Sequence, residues 1–568
     1  MLSILGFLIT LAPLVIVHEF GHYIFARIFN VRAEIFSIGF GPRLWNKQLG
    51  ETELRVSLIP LGGYVKLLGE DRDSPLSPEE QKRALHRQAP WKRFFIFFGG
   101  PLFNFLWAIL VFMAILAIGE PQVGNVVGRV VKDSAAAHAG FVSGDKIITL
   151  EGKPVRHFDD FMQVVNDNPG KSLQVQVEHP GSSQLVDLKV TPSSEDGYSM
   201  YGESTQVGDI EGLIPSARAA EVGVSDPNSA AAKAGFKTGD LITEVNGSPV
   251  KSWEDLEAAY AHTTPGTAFH FKVEKSINGA PATGTGKGST ALIDLIKPVA
   301  KPLANSNDTS GTFGSAWGLF SSELFIEKVV PKSPAAEAGL LAGDRVIAVG
   351  GAVGGRPAKR VESFFDLKDE VQAAGEKDGK VQMQWERDGK NQTAFISPTT
   401  TQQRNAVLKV TKQYTIGIMP MLVMTEPAMV TDRIWNPFTL VWKGTERMVV
   451  FSWRNLVSIG KMFSGDVSVA TLGGPIMIGK IAGESLARGL VAFLTTMAVL
   501  SIGLGVLNVL PIPVLDGGHL VLLAIETIRG KPLAIRTMEI IQGVGLSAIL
   551  LLMVIVLKND LTRLPIFN

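Results

Sequence analysis

Four long apolar stretches set the first limit on what this chain can fold into. They cover about Leu2 to Phe29, Phe94 to Ile118, about Leu490 to Leu510 and about Met538 to Leu557. Each is long enough for a helix that crosses a bilayer, which takes about 20 residues. Because the interior of a bilayer offers no water to bond the backbone, such stretches must form helices. The sequence therefore predicts an α-helical membrane protein with four transmembrane helices.

The first apolar stretch also has the length of a secretory signal peptide. No basic residue precedes it, however, and no cleavage site of small residues follows it before the charged loop. We therefore interpret it as a span. The loop between the first two spans is rich in Lys and Arg, which predicts that it is cytoplasmic. Both termini and the insert from about 120 to 435 are then predicted to be periplasmic, in a multi-pass protein of a bacterial inner membrane.

Composition excludes several kinds of function. The chain has 54 basic and 54 acidic residues, so its net charge gives no reason to expect nucleic acid as a partner. It has no cysteine, which excludes disulfides, cysteine ligands to a metal and a cysteine nucleophile. A serine protease is also disfavoured, since the best match to a nucleophile elbow is the imperfect GESLA at 483–487, with no histidine nearby.

Two histidines and a glutamate interrupt the first apolar stretch, in the sequence VIVHEFGHYIF. An ionisable side chain at bilayer depth costs about 2.5 to 3.5 kcal/mol on insertion scales, so its presence indicates a function. His18 and His22 are four residues apart, which places both rings on one face of a helix, with Glu19 beside them. This is the zinc pattern H-E-x-x-H, in which the metal acidifies a water and the glutamate takes its proton. The pattern predicts peptide hydrolysis, and the alternative is a pair of buried histidines with a structural role.

A third metal ligand is expected near the end of the third span, in GLGVLNVLPIPVLDGGHL. Asp516 is the one acid in this apolar run, and spans one and three cross in the same direction, so it shares the cytoplasmic end with the histidines. Pro511 and Pro513 break the helix there, which is tolerated where the freed backbone lines a cavity or meets protein. Asn508 is placed to bond a substrate backbone or an oxyanion, with bonding between helices as the alternative. His519 is an alternative ligand, or a group that orients Asp516.

Residues 52 to 68 alternate between apolar and polar side chains around the turn PLGG, as a β-hairpin does. A helix cannot be hydrolysed while its backbone is bonded to itself, and an exposed strand edge can hold an unwound substrate. Gly62, Gly63 and Tyr64 are therefore predicted to bind substrate, together with Asn508 and the two prolines. A hairpin that only caps the cytoplasmic face is the alternative.

Three repeats lie in the long insert, and they begin at Val127, Val222 and Ile326. Each reads as a strand, a short Ala-rich helix, a Gly-Asp turn and a second strand. The shared pattern, as in SAAAHAGFVSGDKI, resembles PDZ domains, which implies grooves that take peptide C-termini by strand addition. Spacers or steric filters with closed grooves are the alternative. The predicted domains are 1–119 and 426–568 for the membrane core, with interfacial helices in its second part, and 120–215, 216–315 and 316–425 for the PDZ-like repeats.

Together, HEFGH in the first span and NVLPIPVLDGGH after the third resemble the site-2 protease family of intramembrane metalloproteases. Further matches are GFGP at 39–42, SLIPLGGYVKLLGE at 57–70, GGPLFN at 99–104 and LGGPI at 472–476. The resemblance implies a Zn²⁺ enzyme, surrounded by membrane lipid, that cuts transmembrane helices already shortened by another protease. Anti-sigma factors and signal-peptide remnants are the implied substrates, and the segment around PLGG is implied to be a re-entrant β element. Relatives with PDZ inserts commonly carry two, whereas this chain has three.

A different class of function stays open at this point. The chain could be a membrane-anchored scaffold whose PDZ array binds partners while the metal motif is inert. Metal content distinguishes this scaffold from a metalloprotease.

Overall fold

The structure, a computed structural model, describes residues 2–70, 75–198, 204–276, 289–298, 316–351, 358–404, 410–467 and 472–562. The chain forms two compact units. The first comprises Met1–Pro121, Tyr198–Ser204 and Thr431–Asn568, and the second comprises Gln122–Gly197 and Thr205–Val430. The long insert of the sequence thus has a unit of its own.

In the described part of the chain, four helices are long and apolar enough to cross a membrane. They confirm the prediction of a membrane protein with four transmembrane helices. The helices are Leu2–Ile28 (the HExxH helix), Pro90–Ile118 (the second-span helix), Leu490–Val509 (the third-span helix) and Ile535–Thr562 (the fourth-span helix).

The HExxH helix and the second-span helix touch backbone to backbone. A methyl group at Gly21 would lie 2.1 Å from the carbonyl oxygen of Gly99, so there is no room for a side chain between them. Such close packing of small residues is a main source of helix association in lipid, where the hydrophobic force between helices is lost. The same two helices share a buried apolar cluster with the third-span helix, which includes Leu14, Phe112 and Ile502.

Four further α-helices are described in the first unit. They are Pro78–Arg83, Pro437–Ser464, Pro475–Arg488 and Asp516–Arg529, the last of which we call the aspartate helix. Helix Pro437–Ser464 leaves Phe438, Trp442 and Trp453 exposed, a face suited to contact with lipid. The carboxylate of Asp560, near the end of the fourth-span helix, accepts hydrogen bonds from three backbone amides at the start of Pro475–Arg488. It thereby satisfies amides that a helix start leaves unpaired.

Between the first two spans lies a β element of two long strands, Ala33–Leu49 and Thr52–Leu67. Residues 45–49 pair with 52–56. Residues 33–38 have partners on both sides, since they pair with 63–67 on one side and, through 35–38, with 53–56 on the other. The prediction of a simple hairpin around PLGG is therefore corrected. The segments before and after PLGG are strands, but they lie on opposite sides of 33–38, because alternation in a sequence specifies a strand and not its neighbours.

The second unit contains three α+β repeats with one topology. Each has a four-stranded sheet in which the first strand along the chain lies between the second and the third, and the fourth pairs with the third. The internal repeat seen in the sequence thus corresponds to a repeated fold. The sheet strands are Lys146–Leu150, Lys153–Pro154, Leu173–Glu178 and Leu185–Val190; Leu241–Val245, Ser248–Pro249, Ala268–Glu274 and Thr290–Ile296; Arg345–Gly351, Lys359–Arg360, Val381–Arg387 and Lys390–Ile396.

Within its described residues each repeat also contains two helices that recur in all three, a short second ladder and its own buried apolar cluster. The second cluster includes Trp317 and Leu319, which lie beyond residue 315. The helices are Ala135–His138 and Phe158–Asn166, Ala230–Ala234 and Trp253–His262, and Pro334–Glu337 and Phe364–Asp378. The ladders pair Arg129–Val130 with Leu213–Ile214, Val222–Gly223 with Phe320–Ser321, and Ile326–Val329 with Ile418–Pro420. The remaining described strands are Glu120–Val123, Ser193–Tyr198, Ser204–Asp209, Thr399–Arg404, Val410–Thr415 and Met429–Asp432.

One buried carboxylate connects all three repeats. Glu323 is 2% exposed and accepts two hydrogen bonds from the guanidinium of Arg129, in the first repeat, at 2.9 and 3.1 Å. It also accepts one from the backbone amide of Phe364, in the third repeat, at 2.9 Å. Since Glu323 itself follows the last strand of the second repeat, its charge holds the three together.

Replacing Glu323 with alanine is expected to destabilise the second unit by roughly 3–5 kcal/mol, because the charge of Arg129 stays buried after its partner is removed. Chemical unfolding of the full chain in detergent measures this. Glu362→Ala is the matched control, since the ion pair of Glu362 with Lys132 is exposed and contributes little. If the two variants unfold at the same denaturant concentration, Glu323 does not have this connecting role.

Candidate active site

The HExxH helix presents its two histidines as the sequence predicts. The rings of His18 and His22 lie edge to face with centroids 4.9 Å apart, and their Nε2 atoms are 3.3 Å apart. His18 is buried, with 8% of its surface exposed. Two imidazole nitrogens therefore converge on one point inside the helix bundle.

Asp516 reaches the same point from the far end of the sequence. It is the first residue of the aspartate helix, and its carboxylate oxygens lie 3.2 Å from His18 Nε2 and 3.5 Å from His22 Nε2. The three side chains form a group whose donor atoms all lie within 4.8 Å of one another. The structure thus brings together the three residues that were predicted from the sequence to be metal ligands.

The hydrogen bonds around His22 and Asp516 fit a cation at this point. The Nδ1 atom of His22 lies 2.8 Å from the carbonyl oxygen of Ile96, so Nδ1 donates a proton and Nε2 keeps its lone pair. The buried Oδ2 atom of Asp516 has no hydrogen-bond partner in the described part of the chain. Lone pairs that face one another in this way repel unless a cation lies between them, and the set of two nitrogens and one carboxylate suits zinc.

Asn104 orients the other histidine, and the sequence reasoning did not identify it. Its side-chain amide lies 3.0 Å from His18 Nδ1, and its buried Oδ1 has no described partner. If the Asn104 side-chain amide is rotated by about 180° so that Oδ1 faces His18, Oδ1 accepts a hydrogen bond from Nδ1–H. His18 Nε2 then keeps its lone pair for a metal. The available signal was its position, since Asn104 is a polar residue within an apolar span and ends the quoted motif GGPLFN.

Gly100 gives the two imidazoles their space. A methyl group at this position would lie 2.4 Å from His22 Nε2 and 2.7 Å from His18 Cε1. The second-span helix can therefore approach the site this closely only because it has no side chain at Gly100.

Gly100→Ala is expected to displace both rings and to lower peptide cleavage by about 100-fold, the cost of roughly 1 Å of misplacement at a reacting centre. The turnover of a fluorogenic transmembrane peptide measures the change. Gly503→Ala, in the third-span helix, is the matched control because its methyl group would meet nothing within 4 Å. Equal losses in both variants would mean that the effect is not local to the imidazoles.

Glu19 lies between the metal-binding face and the β element. It is partly buried, and a methyl group at Gly63 would lie 3.1 Å from its Cγ and 2.7 Å from the backbone oxygen of Ser37. Strand residues 63–67 thus pass the proposed base at close range. Of the other predicted strand residues, Tyr64 stacks on Phe40 and receives a hydrogen bond from Arg55, and Gly62 has a positive φ of 126°.

The proline segment after the third-span helix determines where the aspartate helix begins. Pro511 and Pro513 lie between these two helices, where the backbone turns sharply and Val514 has a positive φ of 82°. The side-chain amide of Asn508 lies 3.5 Å from His18 Nε2, at the edge of the site. His519 stacks on Phe97 with ring centroids 5.1 Å apart, and it is not part of the described cluster of metal-binding groups.

Comparison with known proteins agrees with this geometry. The profile of peptidase family M50 matches residues 6–552, which include both the HExxH helix and the aspartate helix. The chain belongs to peptidase family M50. It is a site-2-type metalloprotease, as its motifs predicted.

Individual members of this family match the chain over nearly its full length. The chain is 30% identical to the regulator of sigma-E protease of Escherichia coli, over 98% of each chain. It is also 30% identical to a candidate zinc metalloprotease of Neisseria meningitidis, over 99% of each, and 28% identical to the regulator of sigma-E protease of Salmonella typhimurium, over 99% of this chain and 100% of the other. Among solved structures, a PDZ domain protein from Parabacteroides distasonis covers 52% of this chain and 96% of its own, at 11% identity and a TM-score of 0.13.

Proposed function

We propose that this chain hydrolyses peptide bonds within transmembrane helices at a zinc centre held by His18, His22 and Asp516. The convergence of these three side chains beside Glu19, inside a helix bundle, is the observation that carries the proposal. When bound, Zn²⁺ supplies a water whose pKa is lowered to about 7. Glu19 would act as the general base that accepts a proton from the attacking water and passes it to the leaving amine, and Asn508 would bind the substrate carbonyl.

The substrates that we propose are single transmembrane helices whose extracytoplasmic part has already been removed. The relatives named regulator of sigma-E protease favour an anti-sigma-factor-like membrane protein, and signal-peptide remnants have the same form. Both lie in the bilayer, so the substrate, like the enzyme, is in contact with membrane lipid. The buried position of His18 agrees with a site that receives its substrate from the bilayer and not from water.

Strand residues 63–67 are proposed to hold the substrate in an extended form. They pair with 33–38 along one edge, and in the described part of the chain no strand pairs with the other edge. A substrate strand added there would run past Glu19, with Gly62, Gly63 and Tyr64 at its side and Pro511 and Pro513 at the start of the aspartate helix. Exposed apolar side chains on the same β element suit insertion into lipid as a re-entrant structure; they are Leu44, Trp45, Leu49, Leu58 and Ile59.

Placement in the membrane follows from the basic loop between the first two spans. We propose an inner-membrane protein with periplasmic termini and periplasmic PDZ-like repeats, and with the zinc centre near the cytoplasmic face. The domain boundaries predicted from the sequence are part of this proposal, except that the second repeat extends past residue 315 to its ladder strand Phe320–Ser321. Two roles are proposed for the repeats, namely binding of peptide C-termini by strand addition and exclusion of substrates by size.

Zinc dependence is the direct test. The purified full chain in lipid vesicles is expected to cleave a labelled transmembrane peptide, to lose this activity with 1,10-phenanthroline, and to regain it with added Zn²⁺. The isomer 1,7-phenanthroline, which does not chelate, is the control. Cleavage that persists in the chelator after metal analysis shows no zinc would overturn the proposal.

Gly63→Ala tests the substrate strand separately from the metal. The added methyl group would press on Glu19 and on the backbone of Ser37, so cleavage is expected to fall at least about 10-fold while zinc stays bound. Gly460→Ala, where the methyl group would meet nothing within 4 Å, is the control. A variant that cleaves as fast as the unchanged chain would exclude this strand from substrate presentation.

A further inference from the structure

The aspartate helix has few side chains to hold its first turn in place. Gly517 and Gly518 follow Asp516 directly, and both are buried against the backbone of residues 509–513. Glycine contributes no side chain that could fix the rotation or the axial position of a helix. These backbone contacts hold the start of the helix against 509–513, whereas contacts further along the same helix determine how it is placed on the second-span helix.

Those contacts are made with the second-span helix. His519 stacks on Phe97, and Glu526 forms an ion pair with Arg93 in which Oε2 and Nη1 are 3.1 Å apart. The later residue of the aspartate helix contacts the earlier residue of the second-span helix, so the two helices run antiparallel. Seven residues after Arg93, the same second-span helix places Gly100 against both imidazoles.

The Arg93–Glu526 pair is well shielded from water. The side chain of Arg93 is 15% exposed and that of Glu526 is 9% exposed. Glu526 also accepts a hydrogen bond from the backbone amide of Leu533, at 3.3 Å, so its carboxylate ties the aspartate helix to the segment that follows it. A shielded ion pair has a defined geometry, whereas stacked rings can slide over each other.

We propose that Arg93 and Glu526 are positioning residues of the metal centre. Their ion pair fixes the axial position of the aspartate helix on the second-span helix, and so sets the distance between the Asp516 carboxylate and the two imidazoles. Glu526 is ten residues from Asp516, about 15 Å along a helix, and Arg93 is seven residues from Gly100, about 10 Å along another, so the pair acts on the ligands from a distance. The inference rests on the proposed function, because it assumes that Asp516 is a ligand.

The test measures metal binding in the full chain and not only cleavage. Glu526→Gln and Arg93→Gln are each expected to weaken zinc binding by about 10–100-fold, as for other groups that orient ligands. The exchanged pair, Arg93→Glu with Glu526→Arg, is expected to recover most of that loss. Competition with a chromophoric chelator gives the zinc affinity, and the absorption spectrum of the Co²⁺-loaded chain reports whether the ligand geometry has changed.

Glu120→Gln is the matched control. Glu120 forms an ion pair of similar length, 2.8 Å, with Arg447 in the same unit, and its loss is expected to leave the zinc affinity unchanged. Zinc affinity equal to that of the unchanged chain in both single variants would overturn the proposal. The proposal would also be overturned if the single variants lose zinc affinity and the exchanged pair does not recover it.

If Glu526→Gln or Arg93→Gln fails to fold, the milder variant Glu526→Asp is measured instead. Glu526→Asp keeps the charge and shortens the side chain by one carbon, so it is expected to shift the Co²⁺ spectrum and to lower zinc affinity by a smaller factor. No change in either measurement would again overturn the proposal. If Asp516→Ala binds zinc as tightly as the unchanged chain, the ligand assignment itself is wrong, which separates failure of the proposed function from failure of this inference.

Discussion

Glu19→Gln is expected to leave zinc bound and to lower peptide cleavage by about 10²–10⁴-fold, the usual contribution of a general base. Glutamine has nearly the same shape as glutamate, so the packing between the HExxH helix and the strand at Gly63 should persist. What is lost is the group that accepts a proton. Metal analysis and cleavage of a transmembrane peptide, made on one preparation, measure the two effects separately.

Glu446→Gln is the control for this experiment. Glu446 lies on the exposed helix Pro437–Ser464, where it pairs with Lys443, and its loss is expected to change neither quantity. A Glu19→Gln variant that cleaves at the rate of the unchanged chain would remove Glu19 from the mechanism. A variant that loses its zinc would instead give Glu19 a role in holding the site together.

The local part of the site could be predicted from the sequence. The spacing of His18 and His22 is one helical turn, so a single helix places both rings together whatever surrounds it. Asp516 could be found because it is the one acid in an apolar run, where an unpaired carboxylate is too costly to be accidental. Burial cost, and not proximity in sequence, identified the third ligand.

Asn104 and Gly100 could not be found in the same way. Their roles depend on which face of the second-span helix meets the HExxH helix, and a uniformly apolar helix gives no periodic signal for that face. Asn104 carried a weak signal as a polar residue in a span, but nothing in the sequence connects it with His18. Contacts between distant helices are set by packing, which the sequence pattern does not encode.

Short strands were a second source of difficulty. The repeats were recognisable by their Gly-Asp turns, yet the ladder strand at Phe320–Ser321 has two residues and no measurable alternation. The cluster that reaches Trp317 and Leu319 therefore extends past the predicted boundary at residue 315. The β element shows the same limit, since residues 33–38 take partners on both sides and neither of these pairings was predicted.

Asp516→Ala is expected to abolish both zinc binding and cleavage. The change removes one of three protein ligands and the negative charge of the site, so the loss of affinity should exceed the roughly 100-fold effect of removing an outer partner. Two imidazoles would remain with their Nε2 atoms 3.3 Å apart, which is too few donors for a stable zinc site. Chelator competition and cleavage of a transmembrane peptide measure the two losses.

Asn508→Ala separates this metal loss from a general disturbance of the third-span helix. Asn508 also lies at the edge of the site, 3.5 Å from His18 Nε2, but it is proposed to bind substrate and not metal. Its variant is expected to keep zinc while cleavage falls by about 10²–10³-fold, the cost of one oxyanion donor. If Asp516→Ala keeps its zinc, or if both variants lose zinc equally, Asp516 is not the third ligand. The ligand would then have to come from another side chain, and the buried, unpartnered Oδ2 of Asp516 would need a different explanation.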